Sequence, residues 1–577
     1  MAVYNINGQP LTESSNVYIS ELKKSYPNYS DDALLDEAIR LAALQGKSTW
    51  IVWDGSNIYF SGQVQHDCFG FGGIDFAGSR IMMPAYDGGT IISVEPDSSS
   101  SETINASDIF ANHTTASKLM GKIFAIGTAH EGNEDMCIGN RYNGSDRRTL
   151  YYVPTLMTDK NGDYASGPLY LVPQSGTVEC HNIHDYPDLT FEICNATIVS
   201  YSGAAMSLFF KCSRSNVHVH DFVLEGRSAV TEFHSGVFRF EYCCDVRVDH
   251  ISGVNPIQRA NTSGYFVTLQ SITYARVSDV YVGDAISWGA MGTQFIANTV
   301  FERCHLNRWD SHFVQCGYNV VRDCVLNQVL YGVGSGIIEF ENCIVSNNLV
   351  SDNTVNLVGL RSDIPGTFDG DIIIRNTVFL PGQQPIAKIG IWNDAAWQAK
   401  EQNSKIPNAG LHCRYIERCT IPDGCKLIFN VGSAVNADVS DYSNLSFEIR
   451  DTAFSGVGVV FESPSSGGQQ HINAVKIVGC QFNAERITGD YLTSNTVFLR
   501  GCIVGNNNVR VTQNTSLIVI SDSDIGTVVS DQQSAALTMT GCRVNGDQSF
   551  SKFTNYASYG NVSGRGTQYT AALNGHV

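Results

Sequence analysis

The stretch HLNRWDSHF places three side chains that could bind or cleave a polar ligand at alternate positions: Arg308, Asp310 and His312. Alternate residues of an extended strand share a face, so the spacing predicts one face with these three groups and another with Trp309 and Ser311. A carboxylate and an imidazole can exchange protons with a substrate, and an arginine can hold an anionic group through paired hydrogen bonds. The alternative is that the acid and the histidine close a turn and that the arginine forms a surface ion pair.

The elements that would position these side chains follow a recurring pattern. An apolar alternation leads to a polar or Gly position, then to Cys, Thr or Ser, and then to a further alternation, as in TVFERCHLN, NVVRDCVLN and ALTMTGCRV. The small residues are Cys304, Cys324, Cys343, Thr377, Cys419, Thr452, Cys480, Cys502, Ser523 and Cys542. Some neighbours lie about 20 residues apart, and longer intervals indicate loops inserted into a constant unit.

This repeat predicts an all-β fold, a parallel β-helix. Its coils stack about 4.8 Å apart, and like residues form interior ladders, for which Cys, Thr and Ser are small enough. The earlier segments NVHVHDFVLEG, DVRVDHISGVN and ARVSDVYVGDA continue the pattern upstream. Seventeen cysteines without CxxC pairs indicate buried, reduced thiols rather than disulfides or zinc ligands, and no cofactor or metal is predicted.

Composition excludes several classes of protein. The formal net charge of -19 and the absence of Lys/Arg runs argue against a sequence-independent nucleic-acid binder, which needs a basic surface. The N-terminus lacks the basic and apolar segments of a signal peptide, and no apolar run approaches membrane-spanning length. We therefore expect neither secretion by a signal peptide nor membrane insertion.

The chain is predicted to divide into four parts. Residues 30–46 form a helix that caps the β-helix, because Ser30 suits an N-cap and Gly46 can end the helix. Residues 1–29 precede it as a short peptide, and residues 47–440 form the main β-helix. Residues 441–577 are either further coils or a C-terminal β region for sugar binding or trimerisation. The polar segment 95–119 is expected to be a surface excursion.

Two blocks of sequence carry a resemblance to a family. In ISWGAMGTQFIANTVFERCHLNRWDSHF the matching residues are Trp288, Gly289, Gly292, Thr293, Cys304, Leu306, Arg308, Asp310 and His312, while Gln294, Trp309 and Ser311 replace the usual Asn, Phe and Ala. In LRSDIPGTFDGDIIIRN they are Leu360, Arg361, Asp363, Gly366, Gly370 and Asp371, while Ile364, Pro365 and Phe368 depart from the pattern. The match spans roughly residues 280–420. In this region the sequence resembles right-handed β-helix tailspikes of short-tailed bacteriophages.

The resemblance implies a homotrimer on the virion that binds and depolymerises a host capsular polysaccharide. The chain looks like a capsule depolymerase of a podophage that infects an encapsulated enterobacterium such as Klebsiella. Family members usually begin with a long virion anchor, so only 29 residues before Ser30 imply a secondary tailspike that docks through its N-terminus onto another tail protein.

Within this resemblance, Asp310, His312 and Asp363 are the predicted catalytic residues. Two coils separate the aspartates by roughly 9.6 Å, which favours an inverting glycoside hydrolase. The predicted substrate contacts are Arg308, Arg361, Trp309 and Asp284, and the fallback acids are Asp284, Asp249, Glu302 and Glu339. A lyase acting beside a uronate, a noncatalytic adhesin and a purely structural tail component remain the alternatives.

Overall fold

The computed structural model describes most of the chain. The described residues are 16–84, 89–128, 151–152, 155–169, 172–173, 176–200, 208–226, 237–254, 265–281, 291–311, 315–331, 334–346, 354–360, 368–380, 388–393, 412–422, 426–431, 441–455, 459–462, 470–483, 486–488, 492–504, 509–511, 515–530, 535–546 and 553–563. The chain forms two compact units. Unit 1 comprises Met1–Cys137 and Arg148–Asn319, and unit 2 comprises Ile138–Arg147 and Val320–Val577.

The described part of unit 1 has two α-helices near its start, α1 (Ile19–Ser25) and α2 (Asp31–Gln45). The N-cap predicted for α2 is confirmed, because the Ser30 hydroxyl accepts a hydrogen bond from the Ala33 N–H at 3.2 Å. The carboxylate of Asp31 accepts the backbone N–H of Tyr59 at 2.7 Å, which ties the start of α2 to an early coil. In the described part of the chain, neither helix is long and apolar enough to cross a membrane.

The strands of unit 1 are mostly parallel. They are β1 (Val17–Tyr18), β2 (Trp50–Val52), β3 (Ile58–Tyr59), β4 (His66–Cys68), β5 (Gly73–Met82), β6 (Thr90–Val94), β7 (Ser100–Asn105), β8 (Ile123–Thr128), β9 (Tyr151–Tyr152), β10 (Leu156–Met157), β11 (Thr177–His184), β12 (Phe191–Ser200), β13 (Leu208–Cys212), β14 (Val217–Gly226), β15 (Phe238–Val254), β16 (Val267–Tyr281), β17 (Met291–Ala297), β18 (Val300–Glu302), β19 (His305–Ser311) and β20 (Gln315–Cys316).

In-register pairing stacks apolar side chains through the interior of unit 1. One continuous column links β5, β12, β14, β15, β16 and β18, and each of its members is fully buried. Its residues are Ile74, Ile193, Val219, Val248, Val277 and Phe301. Because successive side chains alternate between faces, the residues on either side of each member point outward. The predicted parallel β-helix is confirmed.

A small antiparallel sheet interrupts the coils of unit 1. Its strand order is β10-β8-β11-β7, and β9 pairs with β8. Ile104, Leu119, Phe124 and Val178 share its buried apolar cluster. The segment expected to be a polar surface excursion therefore contributes strand β7 and core residues to this sheet, which corrects that expectation.

Strand β21 (Tyr318–Arg322) spans the division between the units. The strands of unit 2 are β22 (Val325–Tyr331), β23 (Gly334–Glu341), β24 (Ile344–Ser346), β25 (Thr354–Leu360), β26 (Phe368–Arg375), β27 (Val378–Leu380), β28 (Lys388–Asn393), β29 (His412–Glu417), β30 (Lys426–Val431), β31 (Asp441–Arg450), β32 (Ala453–Ser455), β33 (Val459–Glu462), β34 (Gln470–Val478), β35 (Gln481–Asn483), β36 (Arg486–Thr488), β37 (Leu492–Arg500), β38 (Ile503–Val504), β39 (Val509–Val511), β40 (Leu517–Ser521), β41 (Asp524–Ile525), β42 (Val528–Ser530), β43 (Ala536–Thr540), β44 (Arg543–Val544), β45 (Asn555–Tyr559) and β46 (Val562–Ser563).

Parallel pairing continues well beyond residue 440. Strand β31 pairs with β34, β34 with β37, β37 with β40, β40 with β43, and β43 with β45, all in parallel. Of the two predictions for residues 441–577, the described strands therefore match further coils.

The predicted small-residue ladder is confirmed. All ten residues are at most 5% exposed. Their side chains donate to the carbonyl two residues earlier, as from Cys343 Sγ to Glu341 O at 3.4 Å and from Thr377 Oγ1 to Arg375 O at 2.9 Å. The backbone N–H of Cys343 in turn donates to Thr377 Oγ1 at 3.4 Å in the next coil. A compact side chain whose terminal atom can both donate and accept makes both contacts, which explains why Cys, Thr and Ser all occur at this position.

Candidate functional site

Strands β12, β14 and β15 bring four titratable side chains to one outer face of unit 1. Glu192 on β12 pairs in register with His218 on β14, and His220 on β14 pairs with Asp249 on β15. His218 and His220 are two residues apart in the same strand, so they share a face. Three adjacent strands about 4.8 Å apart thus hold the group on a rigid support.

Hydrogen bonds join these side chains and Asp221 into one acid–histidine cluster. His218 Nε2 lies 2.7 Å from Asp249 Oδ2, and His220 Nδ1 lies 2.7 Å from Asp221 Oδ2. The other ring nitrogens face Glu192 Oε2, at 4.0 Å from His218 Nδ1 and 3.3 Å from His220 Nε2. The two imidazole centroids are 4.2 Å apart.

His250 extends the cluster toward solvent. Its Nδ1 lies 2.7 Å from Asp249 Oδ1. Burial alone would raise the pKa of Asp249, but hydrogen bonds from His250 and His218 outweigh it and hold that pKa below its ordinary value. The hydrogen bond to Asp249 raises the pKa of His250. The aspartate is therefore ionised at neutral pH and can act as a base or an ion-pair partner.

A second ionic network lies on neighbouring coils of the same face. Arg303 makes a bidentate contact with Asp279, from Nε to Oδ1 at 2.8 Å and from Nη2 to Oδ2 at 2.7 Å. Arg303 Nη1 also lies 2.7 Å from Glu302 Oε1, and Arg276 Nη2 lies 2.5 Å from Glu302 Oε2. The hydrogen bonds that Arg303 donates to Asp279 lower the pKa of Asp279 and raise the pKa of Arg303.

An exposed aromatic residue borders this network. Tyr281 follows Asp279 by two residues, is 48% exposed, and pairs in register with His305. The two ring centroids are 4.9 Å apart. An exposed ring beside carboxylates and guanidinium groups is an arrangement that can hold a sugar through stacking and hydrogen bonds.

The backbone turns sharply through this face. Asp221, His250, Asp279 and Arg303 occupy equivalent positions in successive coils, and their φ angles are 59°, 51°, 55° and 51°. Asp and His are enriched in the left-handed region, whereas Arg is not, so Arg303 is held there at a conformational cost. Asp221, His250 and Arg303 are exposed at this turn, and Asp279 is partly exposed.

The structure describes the predicted site residues of HLNRWDSHF to different extents. Arg308 and Asp310 belong to strand β19, where Asp310 pairs with Gly292, and their side chains lie outside the described part of the structure. His312 also lies outside the described residues. Trp309 is fully buried, and its Nε1 donates to Thr293 Oγ1 at 2.9 Å. The prediction that Trp309 contacts substrate is corrected, because its ring packs in the interior.

The remaining predicted site residues, the catalytic Asp363 and the substrate contacts Arg361 and Asp284, lie outside the described residues. Among the fallback acids, Glu302 is engaged by two arginines, and Glu339 is buried with an ion pair to Arg375 at 3.0 Å. Asp249 is the fallback acid that belongs to the acid–histidine cluster.

The histidines of the cluster were not among the residues predicted from the sequence, although the sequence contains a signal for them. Four segments can be aligned by their alternating residues: HVHD, RVDH, RVSD and VFER. The alignment has one outward column that contains His220, Asp249, Ser278 and Glu302. The next column contains Asp221, His250, Asp279 and Arg303. The repeat alignment therefore contains the site once the columns are compared across coils.

No protein-family model and no curated protein matches this chain. Similar solved structures include tailspike gp61 of Pseudomonas phage phi297, with a TM-score of 0.40 and 12% identity over 87% of this chain and 75% of that one. Gp54 tailspike of Acinetobacter baumannii bacteriophage AP22, in complex with A. baumannii capsular saccharide, has a TM-score of 0.31 and 10% identity over 96% and 82%. The catalytic unit of a GH87 α-1,3-glucanase from Streptomyces thermodiastaticus has a TM-score of 0.25 and 12% identity over 81% and 97%. These likenesses are too weak to transfer an activity to this chain.

Proposed function

We propose that this protein binds and depolymerises a bacterial capsular polysaccharide along the outer face of the β-helix. The observation that carries the proposal is the row of carboxylates, imidazoles and guanidinium groups that follows successive coils beside the exposed ring of Tyr281. A rigid row repeating at about the 4.8 Å coil spacing suits a linear polymer with regularly placed hydroxyl and acidic groups. Arg303 and Arg276 are paired with Asp279 and Glu302, so they offer a glycan oriented guanidinium donors rather than net positive charge.

Glycoside hydrolysis is the proposed reaction. It needs one protonated carboxyl group to assist the leaving oxygen and one carboxylate to activate water or attack carbon. Asp310 and Asp363 remain the proposed pair, His312 the proposed polarising group, and Arg308, Arg361 and Asp284 the proposed substrate contacts. An ionised Asp249 on the described face is the competing base.

The biological setting is part of the same proposal. We propose a homotrimeric phage tailspike on the virion that docks to another tail protein through residues 1–29 and acts at the surface of an encapsulated enterobacterium such as Klebsiella. Light scattering on the purified full-length chain tests the trimer, and pull-down of virion tail proteins with and without residues 1–29 tests the docking.

Mass spectrometry of products from a panel of purified capsules tests the function. A hydrolase shortens one capsule and leaves saturated ends, whereas a lyase leaves an unsaturated sugar that absorbs in the ultraviolet. Binding without shortening would identify an adhesin and overturn the depolymerase proposal. The absence of both binding and shortening across the panel would favour a structural tail component.

Single substitutions locate the reaction. D310N and D363N should each abolish cleavage while preserving trimer formation and glycan binding. D249N tests the alternative in which Asp249 is the base. The matched control is D188N, because Asp188 is 87% exposed and lies outside the row. Full activity in D310N and D363N together with loss in D249N would move the catalytic assignment to the acid–histidine cluster.

Aromatic stacking can be tested separately. Y281A should weaken glycan binding by about two- to tenfold, since stacking contributes about 0.5–1.5 kcal/mol. The control is Y559A, which removes another exposed tyrosine, 49% exposed, from unit 2. Equal affinities for Y281A and the unaltered protein would remove Tyr281 from the binding face.

A further inference from the structure

We propose that Glu192, His218 and His220 form a binding site for a divalent transition-metal ion of the zinc class. One carboxylate oxygen and one nitrogen from each ring lie within 4.8 Å of one another. Two imidazoles and a carboxylate are a donor set that zinc accepts. The sequence analysis predicted no metal, so this inference departs from it.

The distances suit a single ion. Ligand atoms about 2.0–2.2 Å from a tetrahedral ion lie about 3.3 Å from each other. His220 Nε2 is 3.3 Å from Glu192 Oε2, and His218 Nδ1 is 4.0 Å from the same oxygen. Metal binding would bring His218 Nδ1 closer to this oxygen by about 0.7 Å, from 4.0 Å to the spacing of about 3.3 Å.

The hydrogen bonds at the outer nitrogens leave the inner nitrogens free to bind a metal ion in the neutral rings. His218 Nε2 and His220 Nδ1 each bond a carboxylate, so in a neutral ring the proton lies on that outer nitrogen. Both inner nitrogens then direct lone pairs at the Glu192 carboxylate, which is itself only an acceptor. These three acceptors repel one another unless protons or a metal ion lie between them.

One metal ion can bind all three of these groups. The two ring centroids are 4.2 Å apart, and one dication can take a lone pair from each ring and from the carboxylate. The carboxylates of Asp249 and Asp221 also match the outer partners that orient metal-binding histidines in proteins.

The site is open on its solvent side. The side chains of Glu192, His218 and His220 are 34%, 24% and 18% exposed. Three protein ligands and an accessible fourth position are typical of a site that keeps water or a substrate oxygen on the metal. Metal binding does not depend on the proposed function, although a sugar hydroxyl or carboxylate is a suitable fourth ligand.

Titration of the chelator-treated full-length protein with Co²⁺ and Zn²⁺ tests the site. We expect one ion per chain, visible d–d absorption from Co²⁺, and displacement of Co²⁺ by Zn²⁺. H218Q, H220Q and E192Q should each weaken binding by at least about tenfold, and D249N and D221N by about 10- to 100-fold. The control is H181Q, because His181 is a partly exposed histidine 3.6 Å from a carboxylate of Glu179 outside the cluster.

Circular dichroism and the unfolding temperature without metal establish that each variant is folded. Absence of a stoichiometric Co²⁺ site, or unchanged affinity in folded H218Q and H220Q, would overturn the proposal. Titration of both ring signals by NMR, with no change on adding Zn²⁺, would identify a protonated pair instead and also overturn it. These measurements use no glycan, so their failure is distinct from failure to depolymerise a capsule.

Discussion

The indole Nε1 of Trp309 donates a hydrogen bond to Thr293 Oγ1 at 2.9 Å inside unit 1. Both residues are fully buried, and the Trp309 ring packs against Phe301 with centroids 4.7 Å apart. The buried side chain of Trp309 therefore anchors strand β19, which also contains the predicted catalytic residue Asp310. A residue predicted to bind substrate instead positions the strand.

Replacement of this buried pair should reduce stability. W309A should lower the free energy of unfolding by about 3–5 kcal/mol, because it leaves a large cavity. T293V should cost about 1–3 kcal/mol, because it leaves the indole N–H unsatisfied. Thermal and denaturant unfolding of both variants measure these losses. Weaker glycan binding by W309F at unchanged stability would instead return Trp309 to the substrate face.

The interior cysteines should be unreactive in the folded protein. Burial raises the pKa of Cys343 and of Cys480 to about 12, so at pH 8 only about one thiol in ten thousand is ionised. Iodoacetamide labelling followed by peptide mass spectrometry should find these residues unmodified in the native protein. The same residues should be modified in guanidinium chloride. Rapid native labelling of Cys343 would contradict its place in the ladder.

The ladder could be predicted because each coil repeats one local pattern. Cys304 and Cys542 follow the same alternation, and only a stacked fold puts such positions in one column. The helix α2 was also predictable, because Ser30 and Gly46 are local signals at its two ends. Both features depend on residues close together in sequence.

The antiparallel insert and the acid–histidine cluster depend on distant residues. The sequence of strand β7 is mostly polar. The strand belongs to a sheet only because it pairs with β11, where Cys180 lies opposite Glu102. Glu192 and His218 likewise become neighbours only once the register of β12 and β14 is known. Local alternation predicts that such side chains face outward, but it does not supply the register between coils.

A buried histidine should make stability depend on pH. His184 lies with Nδ1 2.6 Å from Asn182 O and Nε2 2.9 Å from Ser215 Oγ. Burial lowers the pKa of His184 below its ordinary value of 6.5. The hydrogen bond to Asn182 and the charge of Asp185 oppose this shift, whereas the charges of Arg214 and Lys122 lower the pKa further. Below about pH 6.5 the unfolded chain binds the proton first, so stability falls as the pH drops, by at most about 1.4 kcal/mol per pH unit from this group.

Unfolding temperatures of the unaltered protein and of H184Q across about pH 5 to 8 check this dependence. H184Q should be less stable at every pH, because it disturbs the buried hydrogen bonds, and its curve should be flatter below about pH 6.5. The difference between the two curves isolates the contribution of His184 from that of other titrating groups. Parallel curves would show that His184 makes no contribution.

Two glycines of unit 2 should respond differently to a methyl group. A Cβ on Gly370 would lie 2.0 Å from the carbonyl oxygen of Gly336 in the paired strand, whereas a Cβ on Gly501 would have nothing nearer than 3.9 Å. Gly501 has a φ of 61°, so G501A should cost roughly 1–2 kcal/mol from the left-handed backbone alone. G370A should cost more, because neither coil can move without breaking its ladder of hydrogen bonds. Unfolding temperatures of both variants measure the difference. The control is G501N, because Asn tolerates this φ better than Ala. An equal loss of stability in G370A and G501A would contradict the close approach of the two strands.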